Sequence, residues 1–164
     1  PVKQSELFDV LFRVLGVSEP EDGNRPIDDA GKANSIAPLR ILLAEDSIPN
    51  QKLAVGVLNK WGHTVDVANT GLKAVEAWAT QKYDLILMDV QMPEMDGLQA
   101  TREIRNRETG TSGHITIIAM TAHAMTGDRE ECLASGMDGY ISKPVRKQDL
   151  IDTIVPFFST NSGE

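Results

Sequence analysis

From Leu39 onward, short apolar runs alternate with stretches in which apolar residues recur every three or four positions. Arg40 to Ala44 is aliphatic after its first residue and is followed by two acids, the pattern of a buried strand. Pro49 to Trp61 carries Leu53, Val57, Leu58 and Trp61 at helical spacing, with Pro49 suited to a first turn and Gly62 to the position past the last. Thr64 to Ala68 alternates as a strand does, and Gly71 to Thr80 returns to helical spacing through Leu72, Val75 and Trp78. Asp84 to Met88 predicts the next buried strand, and Leu98 to Arg107 a helix with Ile104 inward and charges outward. Ile115 to Ala119 is rich in β-branched residues and predicts a strand. Asp128 to Ser135 predicts a helix stopped by Gly136, Gly139 to Ser142 a short fifth strand, and Lys147 to Phe158 a fifth helix.

Strands that alternate with helices imply parallel pairing, because each crossover is a helix. Short continuous apolar strands are what a sheet covered on both faces requires. The expectation is therefore an α/β fold, a doubly wound five-stranded parallel sheet. In such folds ligands sit outside the carboxyl ends of the strands.

The first 38 residues differ. Ser5 to Leu15 has the apolar spacing of an amphipathic helix (Leu7, Leu11, Val14 and Leu15, with Phe8 and Phe12 beside them), and Gly16 suits its stop. Val17 to Pro38 is rich in acidic, Gly, Asn, Pro and Ser residues and predicts a flexible linker. The segment Pro1 to Asp9 also repeats Pro144 to Asp152, with Pro, Val, Leu and Asp identical in register. Residues 1–16 are thus expected to be the C-terminal helix of a preceding copy of the same domain. The alternative is an ordinary amphipathic helix packed on this one. Residues 17–38 follow as linker, 39–158 as the domain and 159–164 as a polar tail.

Bulk properties narrow the function. With 164 residues, one domain plus an appendage is expected, and 5% aromatic content makes the core mostly aliphatic. A net charge of −8 argues against a nucleic-acid surface. The single cysteine, Cys132, excludes an internal disulfide and fits a reducing compartment. No stretch approaches the ~20 apolar residues that span a bilayer, and no secretory signal opens the chain. A cytoplasmic location is expected, which is compatible with a parent protein anchored in the inner membrane.

Three acids fall at strand ends: Glu45 and Asp46 after the first strand, Asp89 after the third. If those strands are neighbours, the carboxylates converge, each raising the pKa of the others, and a hard cation such as Mg²⁺ relieves the conflict. Singly, each is a solvated loop carboxylate. Thr121, just beyond the fourth strand, and Lys143 after the fifth add a hydroxyl and an ammonium suited to phosphoryl oxygens. Alone these would be a helix cap and a surface lysine. Neither GxxxxGK[ST] nor GxGxxG is present, so a phosphoryl group must land on a side chain rather than remain on a cradled nucleotide.

These segments resemble the receiver (CheY-like) domain of response regulators and hybrid sensor kinases. The matches are Ile41 to Asp46, Asp84 to Gly97 (with Met-Pro-Glu-Met-Asp-Gly), Ile118 to Ala122 and Gly139 to Pro144, within a resemblance that covers Leu39 to Phe158. It implies a flavodoxin-like strand order 2-1-3-4-5, here with an extra N-terminal helix. It implies Asp89 as the phosphoacceptor, and Mg²⁺ held by Glu45, Asp46, Asp89 and the backbone carbonyl of Gln91. Thr121 would bind a phosphoryl oxygen, Lys143 would pair with the phosphoryl group, and Tyr140 would be the aromatic switch that turns inward with Thr121. Pro144 would follow a cis bond. The implied donor is a phosphohistidine on a histidine kinase core or a histidine phosphotransfer domain. Gln91 and His123 resemble positions that tune the lifetime of the phosphoryl group.

The N-terminal repeat favours the receiver of a bacterial hybrid histidine kinase over a stand-alone response regulator. The fragment itself is then a phosphoacceptor module and not an enzyme in the ordinary sense. A haloacid-dehalogenase-like phosphatase shares the Asp, Mg²⁺, Thr and Lys, but its DxDx[TV] motif is missing because Gln91 stands two past Asp89. A scaffold that is never phosphorylated is the third alternative. His63, His114 and His123 are expected to be surface or loop residues, Cys132 a packing residue, and the methionines around Asp89 and Thr121 adaptable packing near the loops.

Overall fold

The computed structural model describes residues 36–122, 126–143 and 146–158. The expected helix over residues 1–16, the linker as far as residue 35, His123, Met125, Pro144 and the tail 159–164 lie outside the described residues.

Five strands, β1 (Arg40–Ala44), β2 (Thr64–Ala68), β3 (Leu85–Asp89), β4 (Thr116–Thr121) and β5 (Gly139–Ser142), alternate with α1 (Ile48–Lys60), α2 (Gly71–Thr80), α3 (Gly97–Glu108), α4 (Thr126–Ser135) and α5 (Lys147–Phe158). The strands pair in parallel in the order β2-β1-β3-β4-β5. This is the anticipated doubly wound sheet, whose strand order reverses between β1 and β3.

Strand periodicity sorts the core into two layers. Leu42, Ala44, Ile86, Met88, Ile117 and Ala119 face α2, α3 and α4, where Ala74, Val75, Ile104 and Cys132 complete a buried cluster. Ile41, Leu43, Leu85, Leu87, Ile118 and Met120 face α1 and α5, packing on Ala54, Leu58, Leu150 and Ile154. Burial on both faces explains the unbroken apolar runs. Ile36, inside the stretch expected to be linker, packs against the second cluster, so ordered packing begins before Leu39. No helix among the described residues is long and apolar enough to cross a membrane.

Helix ends follow local chemistry. Gly62 (φ 87°) and Gly136 (φ 106°) take the left-handed conformation just past α1 and α4, as their sequence positions predict. Asp96 accepts from Gln99 N at 2.8 Å while the Gln99 side chain accepts from Asp96 N, a capping box that opens α3.

Three expectations are corrected. Leu53 and Leu72 stand out from their helices, 49% and 42% exposed, while Ala54 and Ala74 take the inward positions. His63 lies in the loop between α1 and β2, as expected, but is buried rather than at the surface, its Nδ1 accepting a hydrogen bond from Leu39 N at 3.0 Å. Met88 and Met120 are fully buried strand residues of the core, not loop packing.

Candidate functional site

The strand register brings the sequence-predicted residues to one edge of the sheet. Ala44, the last residue of β1, pairs with Met88, so Glu45 and Asp46 emerge beside Asp89. Asp89 and Thr121 are the last residues of β3 and β4 rather than residues beyond them. Backbone bonds fix these ends to one another: Glu45 N donates to Ala68 O at 3.0 Å, Val90 N to Met120 O at 3.1 Å, and Lys143 N to Thr121 O at 2.7 Å.

Carboxylate oxygens of Glu45, Asp46 and Asp89 all lie within 4.8 Å of one another. Glu45 and Asp89 are buried, whereas Asp46 is half-buried and opens the cluster to solvent. Lys143 Nζ lies 2.8 Å from Glu45 Oε2 and 3.0 Å from Asp89 Oδ2. Burial pushes the Asp89 carboxyl up to about 7; Lys143 opposes this shift and Glu45 adds to it. Burial also works against the Lys143 ammonium, but Asp89 and Glu45 outweigh it and hold its pKa above the ordinary value.

Several supporting contacts lie beyond what the sequence shows. Ser47 N donates to Glu45 Oε1 at 3.0 Å, and Gln51 Nε2 donates to Glu45 O at 2.6 Å, so the start of α1 grips the first acid. Gln91 N donates to Asp89 Oδ1 at 3.2 Å. Gly97 passes so close to β3 that a Cβ there would stand 2.1 Å from Asp89 O. Glu94 in the intervening loop holds φ at 68°. The capping pattern Asp-x-x-Gln was readable in the sequence; the Gly97 contact needed the fold.

Tyr140 is half-buried, with Arg129 Cζ 5.1 Å from its ring centroid. It pairs with Ala119, and Ser142 pairs with Thr121. Tyr140 and Thr121 therefore share one face of the sheet, one step apart.

Three carboxylates and a lysine thus cluster at strand ends, at the point where strand order reverses. Residues 41–155 fit the response regulator receiver domain. The chain belongs to the response regulator receiver family. Among curated relatives it is 44% identical, over 126 residues, to hybrid signal transduction histidine kinase I of Dictyostelium discoideum, covering 74% of this chain and 7% of that one. Among solved structures it resembles the receiver domain of sensor histidine kinase PA1611 from Pseudomonas aeruginosa, with magnesium coordinated in its active-site cleft. That likeness has 42% identity and a TM-score of 0.65, covering 74% of this chain and 98% of that one. It also resembles the receiver domain of Ssk1, solved with the histidine phosphotransfer protein Ypd1 of Saccharomyces cerevisiae, at 27% identity and a TM-score of 0.71, covering 79% and 97%. The chain spans between 6% and 18% of the length of the curated relatives it matches. It is a receiver domain of the kind found in response regulators and hybrid histidine kinases, the phosphorelay components of two-component signalling.

Proposed function

We propose that this receiver takes a phosphoryl group from a phosphohistidine onto Asp89 and changes conformation in response. The observation that carries this reading is the convergence of Glu45, Asp46 and Asp89 with Lys143 bridging two of them. Three carboxylates in one small volume repel one another, and a single ammonium leaves the cluster net negative. An all-oxygen donor set with one solvent-open member suits Mg²⁺, which keeps several waters and takes few carboxylates. Glu45, Asp46, Asp89 and the backbone carbonyl of Gln91 would hold it. When bound, the cation supplies charge for the oxygens of the incoming phosphoryl group.

The chain's own residues do the rest. Ionised Asp89 attacks phosphorus in line and the donor imidazole leaves. Gln91 N, now bonded to one Asp89 oxygen, helps to aim the carboxylate. Lys143, already at hydrogen-bond distance from Asp89, meets the negative charge that the transferred oxygens bring. Thr121, buried at the end of β4, binds a phosphoryl oxygen, and Tyr140 on the same face turns inward as Thr121 moves. Water later cleaves the acyl phosphate, so the fragment is a self-resetting acceptor and not a turnover enzyme.

The donor is a histidine kinase core or a histidine phosphotransfer domain. In support, Ile48 at the start of α1 is 61% exposed, and Leu53 lines a cleft with Glu45, Asn50 and Lys143. An apolar rim at the mouth of a charged site fits a docking protein domain. The parent is a hybrid kinase acting in the cytoplasm, supported by the 44% identical relative and by the repeat of residues 1–9 in 144–152. On this reading residues 1–16 close a preceding receiver-like domain and 17–38 link it to this one.

Beryllofluoride with Mg²⁺ tests the proposal. Saturating reagent should move amide resonances around Asp89, Thr121 and Tyr140, and Asp89→Asn should abolish the response. Unmoved resonances in the parent chain would overturn the switch reading.

A further inference from the structure

The cation–ring contact between α4 and β5 lies outside the phosphoryl site, yet touches the residue through which that site is read. Arg129 is exposed as the fourth residue of α4, and its guanidinium carbon stands 5.1 Å from the centroid of the Tyr140 ring. That is within the range in which a cation is drawn to the face of an aromatic ring. A second such pair among the described residues, Arg40 over Tyr83, is tied down by Asp66, which accepts from both Arg40 and Tyr83. It sits at the opposite end of the sheet and is part of the frame. Arg129 and Tyr140, by contrast, belong to elements that meet beside Thr121.

We infer that Arg129 is a positioning residue that holds Tyr140 in the conformation seen here and so sets the threshold of the switch. This rests on the reading of Asp89 as phosphoacceptor and of Tyr140 as the ring that turns inward. The Tyr140 ring packs half-buried on the cluster that includes Ala119 and Cys132, in the row that ends at Thr121. An inward turn takes the ring from beneath a guanidinium anchored on α4. A contact made in one conformation and not in the other biases the equilibrium between them by its own strength. At an exposed site a cation–ring contact corresponds to about a two- to fivefold change in that equilibrium. Linkage requires the same factor to appear in affinity for any ligand that selects the inward state. Arg129 thus opposes activation, and its loss eases it.

The test uses the full chain, with beryllofluoride and Mg²⁺ as the probe. Arg129→Met keeps the apolar stem and removes the charge; Arg129→Gln is a second neutral variant, and Arg129→Lys keeps a cation. The neutral variants should bind beryllofluoride about two- to fivefold more tightly. Their Tyr140 ring resonances, before reagent is added, should lie displaced toward those of the saturated parent. Arg129→Lys should stay near the parent. In a Tyr140→Leu background the Arg129→Met effect should vanish, which a merely structural role of Arg129 would not produce. Unchanged or weaker affinity in both neutral variants, with a parent that responds normally, overturns the Arg129 role alone. A parent whose Asp89 and Tyr140 resonances ignore the reagent overturns the receiver-switch reading and the Arg129 role together.

Discussion

Lys143 Nζ stands 3.0 Å from the Asp89 carboxylate, and both side chains are largely shielded from solvent. On the proposed reading, the pair keeps a buried acid usable as a nucleophile. Without the ammonium, burial and the neighbouring Glu45 carboxylate would hold Asp89 protonated more firmly. Lys143→Ala should push the Asp89 pKa above its present value of about 7. It should also slow phosphoryl uptake from acetyl phosphate about a hundredfold or more, the usual cost of losing one donor to transition-state charge. Lys143→Arg should recover little, since a planar fork does not replace a compact ammonium. Intact-mass measurement of the acyl phosphate over time checks both variants; rates near the parent would remove Lys143 from the reaction.

Asp89 also makes stability and metal binding depend on pH. Its folded-state pKa, about 7, lies above the ordinary 3.8, so folding favours the protonated form. That contribution is complete below 3.8 and is lost as pH rises through about 7. With chelator present, Asp89 should therefore lower stability across that window as pH increases. A cation binds the ionised form, so saturating Mg²⁺ should flatten or reverse the slope. Apparent Mg²⁺ affinity should climb by up to about tenfold per pH unit in the acid range and level off above about 7. Thermal unfolding and calorimetric titration across pH test this, and an affinity independent of pH between 5 and 7 would contradict it.

Much of this arrangement was legible in the sequence because parallel strands buried on both faces must be apolar until they reach the sheet edge. Glu45, Asp89, Thr121 and Lys143 mark those edges, and the register brings them together. What escaped reading was the inward choice between adjacent apolar positions. Leu53 and Ala54 are both compatible with helical spacing, and only the packed fold shows that Ala54 takes the inward position while Leu53 stays 49% exposed. His63 escaped for a similar reason. A polar ring reads as surface until Leu39 N is seen to need an acceptor.

Gly97 lies against the Asp89 carbonyl, where a Cβ would approach to 2.1 Å, and against Met88, whose Cγ would lie at 3.0 Å. Backbone cannot yield as a side-chain tip can. Gly97→Ala should therefore displace the end of β3 or the start of α3, costing ~2 kcal/mol or more and reducing phosphoryl uptake by Asp89. Gly56→Ala is the matching control: it lies within α1 with nothing within 4 Å of the added Cβ. That change should stabilise the fold by about 0.5–1 kcal/mol. Denaturant unfolding of the two variants should move in opposite directions, and a harmless Gly97→Ala would refute the close approach.

His63 should give the fold an acid sensitivity independent of the phosphoryl site. Its Nδ1 accepts the Leu39 N–H at 3.0 Å, a role open only to a ring nitrogen that carries no proton. Burial lowers its pKa from the ordinary 6.5, so the neutral ring is the folded form. The sign is opposite to that of Asp89. The His63 contribution is complete above 6.5 and is lost as pH falls toward the depressed folded value. His63→Leu should leave the Leu39 N–H without its acceptor, costing about 1–3 kcal/mol at pH 7.5. The same variant no longer has a ring to protonate, so its deficit relative to the parent should shrink at pH 5.5. Because Asp89 titrates in both proteins, the difference between them isolates His63. A deficit that is constant or grows on acidification would show that the buried ring is not held neutral.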